Sequence, residues 1–215
     1  MDPRLLIDGL ILYLGLLVLL TFHEFGHAWM AWKCGDDTAH LQGRVSLNPL
    51  VHIDPIGTVV VPLLLIFMAP GGFFAGWAKP VPVNPDNLRN PRADDIMVTL
   101  AGPLMNLLLA IVIMGLARLG YLVHSAGMVE VCLKTAQLSL LLCFFNLLPI
   151  PPLDGSQVAR CLIGMSYETY NRIARYGLFI LIVVLQIPAV QLALNAATIQ
   201  STVAIGGWFG MPLGT

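Results

Sequence analysis

From Leu5 to Trp32 the chain is apolar almost without interruption, yet His23, Glu24 and His27 are set inside that run. A helix across a hydrocarbon core about 30 Å thick needs roughly 20 such residues, so this segment is long enough to span a bilayer. Arg4 precedes it and Trp29, Trp32 and Lys33 close it, the flanks of a membrane helix with an aromatic interface. The run is too long for the apolar region of a signal peptide and lacks a small-residue cleavage pattern, so it is read as retained. Further apolar stretches extend from Ile56 to Met68, Ile96 to Ala117, Val129 to Leu148 and Leu178 to Leu194. With 11% charged residues the chain lies far below the usage of soluble domains, about 25%. These features predict an all-α membrane protein, a polytopic helical bundle of about five to six membrane segments. The formal net charge is −1 and no block of like charge occurs. That leaves no footing for nucleic acid, which is bound through clustered Lys and Arg.

Between the spans the composition changes. Gly35 to Pro55 is more polar, with Asn48-Pro49 and Asp54-Pro55, and reads as an interfacial loop. The stretch Ile56 to Met68 is short and contains Pro62, which disfavours a straight full span. Residues 70–85, PGGFFAGWAKPVPVNP, suit an extended, re-entrant or hairpin element between the first and third spans. Pro149, Pro151 and Pro152 must stop the fourth span, leaving an irregular stretch that ends in Leu153-Asp154-Gly155. A short helix to about Met165 and a last span over about 176–195 are expected to follow. The tail from Ile199 to Thr215 is assigned to no element. No internal repeat or second domain is visible, so residues 1–215 are read as one membrane-embedded domain with its core at 5–165. Cys34, Cys132, Cys143 and Cys161 show no C-x-x-C spacing and read as small buried hydrophobes.

The chemistry concentrates in His23-Glu24-Phe25-Gly26-His27. Residues four apart share one helix face, so the two imidazoles can grip a single zinc ion with Glu24 beside them. Such an ion would lower the pKa of a water toward ~7 and polarise a scissile carbonyl, while Glu24 would take the water's proton and return it to the leaving amine. A chance match is expected at the order of 10⁻³, and charged groups in an apolar span cost roughly 2–3 kcal/mol each unless a cavity or metal receives them. At a 1.5 Å rise, His23 lies about 15 Å below the Lys33 interface. A catalytic zinc usually has three protein ligands. The acidic residue placed to supply the third is Asp154, although Asp-Gly after prolines also suits a turn and Asp a helix N-cap. Glu130 and Glu168 border loops and read as solvated, and His40, His52 and His124 read as structural or solvated.

HEFGH at 23–27, AGPLMN at 101–106 and NLLPIPPLDG at 146–155, with GWAKPVPVNP at 76–85, resemble the site-2 protease family of intramembrane zinc metalloproteases. The likeness covers about residues 5 to 165. It implies that His23, His27 and Asp154 hold one catalytic zinc ion, that Glu24 is the acid/base, and that Asn146 contacts the substrate backbone or the developing oxyanion. Asn106 matches the second block; it is either a substrate or oxyanion contact or a helix-packing amide beside Gly102. Residues 70–85 match the region that forms a re-entrant hairpin in relatives, which could add a strand to an unwound substrate. The chain looks like a minimal member, without room for PDZ or CBS domains.

Bringing the three blocks together requires them to face one side of the bilayer. Lys33, Arg44, Lys79, Arg89, Arg92, Arg160, Arg172 and Arg175 then fall on that side, against Arg4, Arg118 and Lys134 on the other. The bias points to a cytoplasmic active-site side in a cell inner membrane. The expected partners are the lipid bilayer and a transmembrane protein or peptide substrate; the oligomeric state is left open. Two other readings are a zinc-bearing scaffold, for which Glu24 would have no use, and a transporter, for which a repeat would be expected.

Overall fold

The computed structural model describes residues 3–68 and 76–213. In chain order the helices are α1 (Pro3–Cys34), α2 (Thr38–Leu41), α3 (Val61–Met68), α4 (Pro91–Leu122), α5 (Ala126–Asn146), α6 (Asp154–Ile163), α7 (Tyr167–Ala174), α8 (Gly177–Leu185) and α9 (Pro188–Trp208). No strand occurs among the described residues. Helices α1 and α4 each have 32 residues, about 48 Å at 1.5 Å per residue, so both overrun a hydrocarbon core.

Helix α4 is the axis of the bundle and packs on α1, α5, α6 and α9. Its buried positions Gly102, Asn106, Ala110, Met114 and Ala117 recur every three or four residues and so share one face. Leu104, Leu108 and Val112 on the same helix are exposed, as they would be against lipid. Ala110, Met114 and Ala117 meet Ala136 and Leu140 of α5 and Ile205 of α9 in one core cluster. The small residues among these allow helix backbones to approach, which is what drives packing where water is absent.

The count of spanning helices is lower than expected from the apolar runs. Helices α1, α4 and α5 are long and apolar enough to cross a membrane, and α8 with α9 would make a fourth only as one broken span. The run at 56–68 forms a π-helical turn, Pro55–Val60, that continues into α3, and its described part is shorter than a crossing. The run expected as one straight span at 176–195 is broken: α8 ends at Leu185, α9 begins at Pro188, and their axes differ by 81°. Pro188 occupies the first turn of α9, where its missing N–H is harmless and continuation of α8 is not possible. Helix α9 then runs to Trp208, through residues assigned to no element.

Residues 76–84 are irregular and extended, as expected, while 69–75, where the tip of any hairpin would fall, lie outside the described residues. The extended stretch is fastened to the loop after α1. The Trp77 N–H donates to the Gly57 carbonyl at 3.1 Å, the Thr58 hydroxyl to the Trp77 carbonyl at 2.7 Å, and the Lys79 N–H to the His52 carbonyl at 2.9 Å. Gly57 is required there, since a Cβ would come within 2.2 Å of the Trp77 ring.

Asp36, fully buried just past α1, collects this region into one unit. Its carboxylate accepts from the Asn84 N–H at 2.7 Å, the Asn87 side-chain amide at 3.0 Å, and both the N–H and hydroxyl of Thr38. Burial alone would raise its pKa, but these donors outweigh it and hold the group below the ordinary carboxylate value. A depressed folded-state pKa contributes stability that is present above the unfolded value near 3.9 and is lost as pH falls through the folded one. Asp36→Asn should therefore lower stability by about 2 kcal/mol at neutral pH, seen in detergent as a lower unfolding midpoint, and the gap to wild type should narrow below about pH 4.

Candidate metal centre and active site

The HEFGH block lies in the C-terminal half of α1, and its two imidazoles face α4. The rings of His23 and His27 meet edge to face with centroids 4.7 Å apart. Asp154, the first residue of α6, reaches them: its Oδ2 lies 3.2 Å from His23 Nε2 and 3.5 Å from His27 Nε2, and the two Nε2 atoms are 3.1 Å apart. One donor atom from each residue falls within 4.8 Å of the others. The N-cap of α6 is Leu153 and Asp154 lies inside the first turn, so the N-cap role that its Asp-Gly context also suited is not the one it fills.

Protonation makes this cluster informative. His27 Nδ1 is 2.8 Å from the Val98 carbonyl oxygen, an acceptor, so Nδ1 carries a proton, and Nε2 is the ring nitrogen turned toward His23 and Asp154. Asp154 Oδ2 is buried and has no hydrogen-bond partner. Two ring nitrogens and a carboxylate oxygen thus converge on one point, a geometry that a single cation at the centre would satisfy. Two imidazoles and one carboxylate with room for a water are the donor set of a catalytic zinc site, and the residues fit that ion.

Other groups hold the ligands in place. Asn106, fully buried, sets its side-chain amide 3.1 Å from His23 Nδ1, and its carbonyl accepts from the Ser139 hydroxyl of α5 at 2.6 Å. A His23 that binds metal through Nε2 keeps its proton on Nδ1, which calls for the amide oxygen at this contact; oxygen and nitrogen of an amide are exchanged by a half-turn. Asn106 therefore stands behind the ring, on the edge opposite the donor nitrogen. Gly102 lies closer still: a Cβ there would sit 2.3 Å from His27 Nε2 and 2.8 Å from His23 Cε1. One turn along α1, a Cβ on Gly26 would come within 2.7 Å of the Ala101 carbonyl. The site can form only because these two helices touch through glycine.

Peptidase family M50 matches the chain over residues 11–123 and 117–187. The chain belongs to that family, the site-2 proteases. The M50 chain is similar to curated proteins that carry the name "Putative zinc metalloprotease", among them the following three. YwhC of Bacillus subtilis (strain 168) is 39% identical over 188 residues, which cover 82% of this chain and 80% of the relative. Rip2 of Mycolicibacterium smegmatis is 34% identical over 184 residues, covering 82% and 67% respectively. Rip2 of Mycobacterium tuberculosis (strain ATCC 25618 / H37Rv) is 37% identical over 142 residues, covering 66% and 52%. No solved structure matches. Membership makes the chain a metallopeptidase of the site-2 type, and its long apolar helices make it a membrane protein.

Within this M50 site Glu24 is half-buried beside the donors, and its Oε2 accepts from the Val81 N–H at 3.1 Å. Asn146 stands at the end of α5, and the one hydrogen bond its amide makes is to its own helix, to the Leu142 carbonyl at 2.9 Å. No contact joins it to His23, His27 or Asp154 among the described residues. Helix α6 starts hard against this end of α5, since a Cβ on Gly155 would lie 2.2 Å from the Leu147 carbonyl oxygen. At its other end α6 is fastened to α4 by the Asp95–Arg160 ion pair and by Arg92 donating to the Leu162 carbonyl at 2.7 Å, and the start of α7 joins the same carboxylate through the Tyr167 hydroxyl, which donates to Asp95 at 2.7 Å.

Sequence reasoning did not find Val98 and Val81, which act through backbone atoms and leave no side-chain signature. Gly102 was legible only as a helix-packing residue, although its absent side chain is what admits the imidazoles. Gly102→Ala should cut zinc affinity by at least about tenfold with the helical content retained, measured by metal analysis after dialysis against a graded chelator and by circular dichroism.

Proposed function

We propose that this protein is an intramembrane zinc endopeptidase that hydrolyses peptide bonds in or near transmembrane segments of other proteins, with one catalytic ion held by His23, His27 and Asp154. The observation that carries the reading is the convergence of donor atoms from His23, His27 and Asp154 at one point of an apolar helix bundle, with the Glu24 carboxylate beside them. The ion would supply Lewis acidity toward a water and a scissile carbonyl.

The chain's own groups would do the rest. Glu24 keeps Oε2 on the Val81 N–H and has Oε1 to receive the water's proton, which it then delivers to the leaving amine. Val98 and Asn106 hold the two imidazoles in the tautomer that leaves Nε2 available. Asn146, at the rim where α5 gives way to α6, is placed to meet the substrate backbone or its developing oxyanion once the substrate is present. The extended residues 76–84 would take an unwound substrate segment as an added strand. A substrate helix hides its peptide bonds in its own ladder, so Gly, Pro or Asn near the cleavage point should favour turnover. The bias of Lys and Arg toward the side that bears the site supports a cytoplasmic orientation in a cell inner membrane.

The deciding comparison uses purified wild type and Glu24→Gln in detergent or liposomes with a fused transmembrane substrate. The variant should retain zinc and lose cleavage by a factor of at least about 10³; cleavage that survives would remove Glu24 from the reaction. Stripping the ion with a chelator should abolish activity and adding zinc should restore it. Asp154→Ala should lose zinc, and unchanged metal stoichiometry would overturn its assignment as a ligand.

A further inference from the structure

One cation in this molecule is buried without an anion. Arg44, in the loop after α2, is 4% exposed and takes part in no ion pair among the described residues. Its Nε has no hydrogen-bond partner. Removing a guanidinium from water without a carboxylate partner is costly, and a fold retains such a group where it holds something in place. Here it holds a stretch of backbone. Nη2 donates to the Lys79 carbonyl at 2.6 Å and Nη1 to the Pro80 carbonyl at 3.2 Å, two successive acceptors straddled by one planar group. His52, 1% exposed, completes the grip: its Nε2 lies 2.8 Å from the Ser46 carbonyl and so carries the proton, leaving a lone pair on Nδ1 at 3.5 Å from Arg44 Nη2. The His52 carbonyl in turn accepts from the Lys79 N–H at 2.9 Å.

The next peptide unit carries the consequence. Val81 supplies the N–H bound to Glu24 Oε2, and Pro80 and Pro82 on either side have no N–H to offer in its place. The Glu24 charge also bears on Arg44, opposing the effect of its burial. We propose that Arg44 is a positioning residue for the catalytic base: by clamping the Lys79 and Pro80 carbonyls it fixes the Val81 N–H, which fixes one oxygen of Glu24 and leaves the other directed at the water. The inference rests on Glu24 being the base.

The test uses the full chain with the same transmembrane substrate and compares Val81→Pro, Arg44→Gln and the double variant, with Glu24→Gln as control. Val81→Pro removes the N–H, together with the valine side chain, while keeping Arg44 and both carbonyls it grips. Each single variant should lower kcat by roughly 10- to 100-fold, as a base misplaced by about an ångström would, with KM and zinc stoichiometry near wild type. The double variant should be no worse than the poorer single one, because both break the same chain of contacts. Wild-type kcat in Val81→Pro, multiplicative losses in the double variant, or loss of zinc in Val81→Pro would each overturn the proposal. Should Arg44→Gln not fold, Val81→Pro alone decides. If Glu24→Gln retains cleavage, the base assignment itself fails; if Glu24→Gln is inactive and Val81→Pro is not impaired, only the role of Arg44 falls.

Discussion

Everything in this molecule turns on how closely α1 and α4 approach. Gly26 brings its backbone against the Ala101 carbonyl with no room for a Cβ, and Gly102 leaves open the space that the two imidazoles fill. That closeness places the Val98 carbonyl and the Asn106 amide against the ring nitrogens of His27 and His23. In hydrocarbon no hydrophobic force presses helices together, so tight van der Waals contact and interhelical hydrogen bonds must do so. The same contacts that hold the helices also orient the rings of the two candidate metal ligands. Packing and chemistry are here one set of interactions, which is why a methyl group at residue 102 reaches both.

The second requirement is that Asp154 arrive from elsewhere. It does so on α6, a ten-residue helix held at both ends. Its start is pressed onto the end of α5 through Gly155. Its far turn is tied to Asp95 of α4 by Arg160, whose guanidinium lies 3.8 Å over the ring of Tyr167 at the start of α7. A carboxylate pinned in this way offers a fixed oxygen to the site and cannot swing away to water.

Much of this was legible beforehand, and the limits have physical causes. HEFGH and LDG declare themselves because ionisable groups are conspicuous in an apolar chain, and the structure brings His23, His27 and Asp154 together. The ends of α1 and α5 also followed from flanking aromatics and prolines. The break between α8 and α9 was missed because Pro188 sits inside a run whose hydropathy does not change, so composition alone reads through it. Residues 56–68 were correctly doubted as a span, yet the π-helical turn at Pro55–Val60 has no sequence signature of its own. Arg44 and His52 passed as ordinary loop residues, since their burial depends on where 76–84 lies, a long-range fact that periodicity does not encode. Asn146 and Asn106 match the family's blocks equally well, but only Asn106 touches a ligand in this structure.

The ligands come from α1 and α6, with α2 to α5 between them in the chain. During synthesis the first two imidazoles enter the bilayer long before their carboxylate exists, and a pair of neutral histidines on an isolated helix has little hold on an ion. On the proposed assignment of His23, His27 and Asp154, a chain of this design therefore has no complete metal centre while it inserts. It acquires a working centre only when its later half has threaded and closed over the first, so that assembly itself serves as the safety catch.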